Sequence, residues 1–75
     1  MKSVYASYDV LPYLFGINED KDEQIRKIME SYAEEGSGSG FGQRDISFRV
    51  HDNDCRSVSR KLKNSGFKVE IYDVD

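Results

Sequence analysis

Gly36-Ser37-Gly38-Ser39-Gly40-Phe41-Gly42-Gln43-Arg44-Asp45 is the stretch on which the fold turns. Read as a connection, it carries the chain from a helix to a strand and leaves a three-stranded domain. Gly-Ser-Gly-Ser-Gly has the composition of a flexible linker, native or introduced. Residues 36–42 are therefore expected to form a flexible glycine-rich loop, with flexibility concentrated in Gly36–Gly40. A fourth strand, if the sheet has one, is expected around Gly40–Arg44 or within Leu11–Ile17.

The flanks are easier to read. Upstream, Ile25, Ile28, Met29, Tyr32 and Ala33 fall at i, i+3, i+4, i+7 and i+8, the stripe of an amphipathic helix. Asp20 followed by Glu23 has the spacing of a capping box, and Gly36 is the expected C-terminal stop. Asp22–Arg26 and Glu23–Lys27 are spaced as supporting ion pairs. Glu34 and Glu35 would then sit at the unfavourable end of the helix dipole, which suggests a role in solubility or with a partner rather than in the helix. Downstream, Ile46, Phe48 and Val50 alternate with Ser47 and Arg49, so Asp45–Val50 is a strand.

Further out, Val4, Ala6, Tyr8 and Val10 alternate with Ser3, Tyr5, Ser7 and Asp9, a half-buried strand. Pro12 ends it, and Leu11–Ile17 becomes an apolar connection that presents Tyr13 and Phe15. His51-Asp52-Asn53-Asp54 reads as a turn in which Asp52 or Asn53 caps a second helix. That helix carries Cys55, Val58 and Leu62 at i, i+3 and i+7 and stops at Gly66. Phe67, Val69 and Ile71 alternate with Lys68, Glu70 and Tyr72, a last strand. The order β-α-β-α-β implies a single α+β domain over residues 1–75. It is a two-layer sandwich, a ferredoxin-like variant with both helices on one face of a three- or four-stranded sheet.

Composition narrows the function. Hydrophobic residues are 37% and charged residues 33% of the 75-residue chain, which fits a folded domain with a thin core. A net charge of −3 supplies no basic footprint, which disfavours nucleic acid as a partner. Residues 1–42 carry four basic and eight acidic side chains, against seven and six in residues 43–75. Arg56, Arg60, Lys61 and Lys63 make the second helix basic. A single cysteine, Cys55, excludes an internal disulfide. With no leader or long apolar run, the expected setting is cytoplasmic, with no membrane association.

Candidate chemistry is sparse. His51, Asp52, Asp54 and Cys55 lie too close in sequence to converge on one metal ion, and no second His or Cys supports them. No metal, cofactor or catalytic residue is expected, and the chain is not read as an enzyme. The glycine run could turn backbone N–H groups toward an anion, but the spacing GxxxxGK[ST] is absent and the helix precedes the run instead of following it. Gly40-Phe41-Gly42 resembles the start of the RNA-recognition signature. Ser39 stands where that signature has a basic residue, and Gln43 where it has an aromatic. The resemblance implies a nucleotide or single-stranded RNA site using Gly38, Gly40, Gly42, Tyr5, Arg49 and Tyr72. Asp9 and Glu70 on the same face would repel phosphate.

The leading expectation is a non-catalytic protein-binding module, monomeric or homodimeric. Its expected contact residues are Phe41, Arg44, Asp45, Glu34, Glu35, Tyr13 and Phe15, with Phe41 anchored in the core or offered to the partner and Arg44 pairing locally with Asp45. In size, acidity and the style of residues 36–46 the chain resembles small accessory proteins encoded by bacteriophages and mobile elements. That resemblance implies an inhibitory or accessory action on a host protein complex.

Overall fold

The computed structural model describes residues 1–10, 18–40 and 42–74. Lys2–Asp9 forms β1, Glu19–Ile28 α1, Ala33–Gly40 β2, Gln43–Val50 β3, Cys55–Asn64 α2 and Lys68–Asp73 β4. The order is β-α-β-β-α-β, not β-α-β-α-β. The four strands make one sheet in the order β2-β3-β1-β4, and every neighbouring pair is antiparallel. The class, α+β, is as expected. The fourth strand is not Gly40–Arg44, which spans the turn between β2 and β3, but the glycine run together with the Ala-Glu-Glu segment before it; the other candidate, Leu11–Ile17, lies outside the described residues.

Alternation governs β1 and β3. Val4, Ala6, Tyr8, Ile46, Phe48 and Val50 are buried, and their neighbours in sequence face away. Ile25 and Met29 from the α1 end of the molecule and Cys55, Val58 and Leu62 from α2 complete the core, with Phe67 beside them. β2 has no such pattern, and almost all of it is exposed. Its strand geometry comes from pairing. The two-residue connection 41–42, with Gly42 at φ +77°, turns the chain back so that Gly40 meets Gln43, Gly38 meets Asp45 and Ala33 meets Arg49. A bulge lies between Glu34 and Gly36.

That pairing also ends α1 early. The helix stops at Ile28, and Met29 caps it, donating its N–H to the Ile25 carbonyl. Tyr32 and Ala33, at helical spacing in the sequence, belong to a turn and to β2. Gly36 is thus not a helix stop, and Glu34 and Glu35 do not oppose the helix dipole. At the other end the cap is Asn18, not Asp20: the Asn18 side chain accepts the Lys21 N–H at 3.1 Å. Neither Asp52 nor Asn53 caps α2. They form a single 3₁₀ turn with Asp54, and α2 follows without a side-chain cap.

The end of α2 follows its glycine. Phe67 N–H reaches the Leu62 carbonyl and Gly66 N–H the Lys63 carbonyl, both at 3.0 Å, with Gly66 at φ +92°. This is the Schellman pattern, and buried Phe67 and Leu62 supply its apolar contact.

Two glycines should therefore respond oppositely in urea denaturation. Gly66→Ala forces a side chain into the left-handed region and should lower stability by about 1 kcal/mol. At Gly40 no atom of the described residues lies within 4 Å of an added Cβ. A β-branched residue there should raise stability by about 0.5 kcal/mol relative to Gly40→Ala. Equal stability of Gly40→Val and Gly40→Ala would argue against strand geometry at this position.

Candidate functional site

Successive strand residues face opposite sides, so Arg44 and Asp45 are separated by the sheet itself. Arg44 points into the helix layer and is 6% exposed, and Asp45 points to the uncovered face. The local Arg44–Asp45 pair expected from sequence does not form. Arg44 instead meets Asp22 of α1, 3% exposed, with Nη2 at 3.0 Å and Nε at 3.3 Å from Oδ2. Tyr8 of β1 donates its hydroxyl to Asp22 Oδ1 at 2.6 Å and accepts the Asn18 N–H at 3.0 Å. Burial alone would push the Asp22 carboxyl up, but the Arg44 and Tyr8 hydrogen bonds outweigh it and hold the pKa below the ordinary value. Burial, then the bond to Asp22, push the Tyr8 hydroxyl up.

Arg44 is therefore a structural group, not an exposed contact. Asp22 does not serve Arg26, which pairs with Glu34 at 2.8 Å. Glu35 is also engaged: Arg49 lies at 2.6 Å and the Ser3 hydroxyl at 2.7 Å, and these bonds hold its pKa below the ordinary value. Tyr13, Phe15 and Phe41 lie outside the described residues.

The uncovered face collects the remaining candidates. Register places Tyr5 beside Ser47 and Glu70, Ser7 beside Asp45 and Lys68, and Ser3 beside Arg49 and Tyr72. Tyr5 and Tyr72 meet edge to face, with centroids 5.4 Å apart. Next to this pair is an open depression of about 400 Å³, lined by Tyr5, Ser7, Gln43, Asp45, Glu70 and Tyr72. A neighbouring one runs along Asp9, Gly38, Gly40, Gly42 and Asp45. Gly38, Gly40, Gly42, Tyr5, Arg49 and Tyr72 do therefore lie along one surface. Its acids, Asp9, Asp45 and Glu70, outnumber its cations, Lys68 and Arg49, and both cations are engaged, Lys68 by Asp9 at 2.9 Å and Arg49 by Glu35. Among the described residues no ion pair takes up the Asp45 carboxylate.

β2 forms the border of this face. Among the described residues it is the outermost strand, bonded to β3 on one side only. Along such an edge alternate residues turn N–H and C=O groups outward. Neither Pro nor Lys occurs in Ala33–Gly40 to discourage a further strand. The opposite edge, β4, carries Lys68, Glu70 and Asp73.

The second charged feature is α2. An open groove beside it is lined by Arg56, Arg60, Lys63 and Cys55 among others. The Cys55 thiol is turned to the His51 carbonyl at 3.5 Å, and burial pushes its pKa up, the reverse of what a thiolate nucleophile needs. Among the described residues no three of His, Cys, Asp and Glu gather as a metal site, and no helix is long and apolar enough to cross a membrane.

Sequence reading missed Tyr8 and Asp22 as partners. The signal was present: Asp22, Ile25 and Met29 share i, i+3, i+7 spacing, so Asp22 lies on the apolar stripe. Compared with known proteins, the chain matches no family model, no curated relative and no solved structure.

Removing one member of the buried pair strands the other. Asp22→Asn should lower stability by about 3 kcal/mol near pH 7. Because the folded carboxyl has a depressed pKa, its contribution is complete above the ordinary carboxylate range, about pH 4, and is lost as pH falls through the lower folded value. The gap between wild type and Asp22→Asn in urea melts should narrow as pH drops from about 5 to 2. A constant gap would remove the charge from the explanation.

Proposed function

We propose that the chain is a non-catalytic protein-binding module of ferredoxin-like arrangement that captures a partner by adding a strand to β2. The observation that carries this reading is the outer edge of Ala33–Gly40: it is exposed, glycine-rich and, among the described residues, unpaired on one side. Strand addition draws affinity from main-chain hydrogen bonds and specificity from alternate side chains. The glycines suit the task. They leave the partner's side chains room on the uncovered face of the enlarged sheet, where Gly36, Gly38 and Gly40 all lie, and their backbone is unshielded.

The β-α-β-β-α-β order supports the ferredoxin-like description. The burial of Cys55, whose thiol is held protonated against the His51 carbonyl, supports a non-catalytic role. The acids of the open face weigh against phosphate, hence against the single-stranded RNA alternative, since Asp45 lines both depressions, with Glu70 in one and Asp9 in the other. On this reading the protein acts by occupancy, as an accessory or inhibitory factor of the kind bacteriophages encode against host complexes.

The test is selection of a displayed random dodecapeptide library on immobilised protein. Enriched peptides should bind wild type. They should also lose binding to one of two variants, Ser37→Pro or Gly38→Pro, since one of these neighbours directs its N–H outward and proline there removes an outward donor while sparing the β3 ladder. Unchanged circular dichroism of that variant separates lost docking from lost folding. Peptides that bind both proline variants as well as wild type would refute strand addition.

A further inference from the structure

Resting on that reading, we infer that the added strand is basic, carrying an Arg or Lys opposite Gly38 that crosses the glycine to pair with Asp45. Three observations converge on this position. Asp45 is the direct cross-strand neighbour of Gly38. Its carboxylate leans toward the sheet edge: Oδ1 lies 3.5 Å from where a Cβ on Gly38 would stand. And among the described residues no ion pair satisfies it, although Glu35 and Asp9 on the same face each hold a cation of their own.

Geometry selects a long side chain. Strands lie about 4.8 Å apart, so a residue on an added strand is separated from β3 by two spacings, about 10 Å between α-carbons. Any side chain at position 38 would stand in that path, and Gly38 has none. An Arg or Lys lying across Gly38 reaches the outward-leaning carboxylate, whereas a short polar side chain does not. The stem of the basic residue then covers the glycine backbone while its charged end remains beside the open depression.

The same charges argue against a second copy as the occupant. β2 contains two Glu and no Lys or Arg, so self-pairing brings no cation to Asp45 in any register. It also joins two acidic surfaces of a chain with net charge −3. The chemistry that fits is an extended, basic, β-forming segment of another protein.

The experiment uses the peptides enriched by the library selection, synthesised with a fluorescent label and measured by anisotropy against the full chain. The expected motif has Arg or Lys at one fixed position among β-branched residues. Replacing that residue by Gln should weaken binding about 3- to 10-fold, and the loss should shrink at about 1 M salt. Asp45→Asn should weaken the basic peptide to the same degree while leaving the Gln peptide unaffected, and Asp45→Lys should prefer the peptide with Glu in that place. Gly38→Val, which makes only ordinary contact with Asp45, should block the crossing and abolish the Arg-over-Gln preference. Peptides that dock on the β2 edge without a fixed basic residue, or whose preference ignores Asp45, would overturn this inference and leave strand addition standing. Enrichment of no peptide at all, or a dimer formed through β2 in sedimentation, would overturn it together with the reading beneath it.

Discussion

The ion pair between Asp22 and Arg44, closed by the Tyr8 hydroxyl, joins α1, β3 and β1 at one buried point. Its energetic value as a pair is modest, because desolvating two charges offsets much of their attraction. Its value as a constraint is larger. A one-residue slip of β3 would turn Arg44 to solvent and bring Asp45 beside Asp22, placing two carboxylates in the core. The pair therefore holds the parity of β3, and with it the identity of everything on the far face. Asp45, Ser47 and Arg49 face outward because Arg44 faces inward. The charge of the candidate surface is thus determined on the opposite side of the sheet.

What could be read in the sequence follows from where apolar residues set the structure. β1, β3, α2 and the glycine stop of α2 were legible because burial and a left-handed turn impose patterns that local spacing displays. β2 was not, since Gly36, Gly38 and Gly40 favour no strand and none of its residues reaches the core. Its geometry is imposed by β3 through the turn at Gly42. The α1 boundary failed for the same reason: Met29 and Tyr32 continue the helical stripe, yet both contribute to packing from the cap and the turn. For the site, Tyr5, Arg49, Lys68 and Tyr72 were correctly placed on one face by alternation. Arg44 was misplaced because its partner lies 22 residues away in α1, a distance that spacing rules do not cover.

The two edges of the sheet are unlike. β4 carries charge of both signs along its length, and its end is tied to β1 by the Lys2–Asp73 pair. β2 has its acids at one end only, each committed to a neighbouring arginine, and beyond the bulge it is bare backbone with serine hydroxyls. Edge strands in soluble proteins usually carry some deterrent to further pairing. Here the bulge is the one visible device, and it confines regular geometry to the stretch from Gly36 to Gly40. A docked segment is accordingly short, and its affinity depends on few positions, which makes a single outward carboxylate more influential than it would be on a long edge.

The strand order has a kinetic side. The central strand β1 pairs with β3 on one flank and β4 on the other, so Lys2 faces Val50 and Asp73. Both partnerships close long loops, and only the β2–β3 hairpin is local. That hairpin has the least intrinsic preference for its form, so it offers a weak nucleus. Collapse is expected to begin instead with long-range contacts among β1, β3 and the helices, at a rate set by loop closure rather than by local propensity. β2 would then zip onto β3 late and open first, which makes the strand that offers its edge the least protected against amide hydrogen exchange.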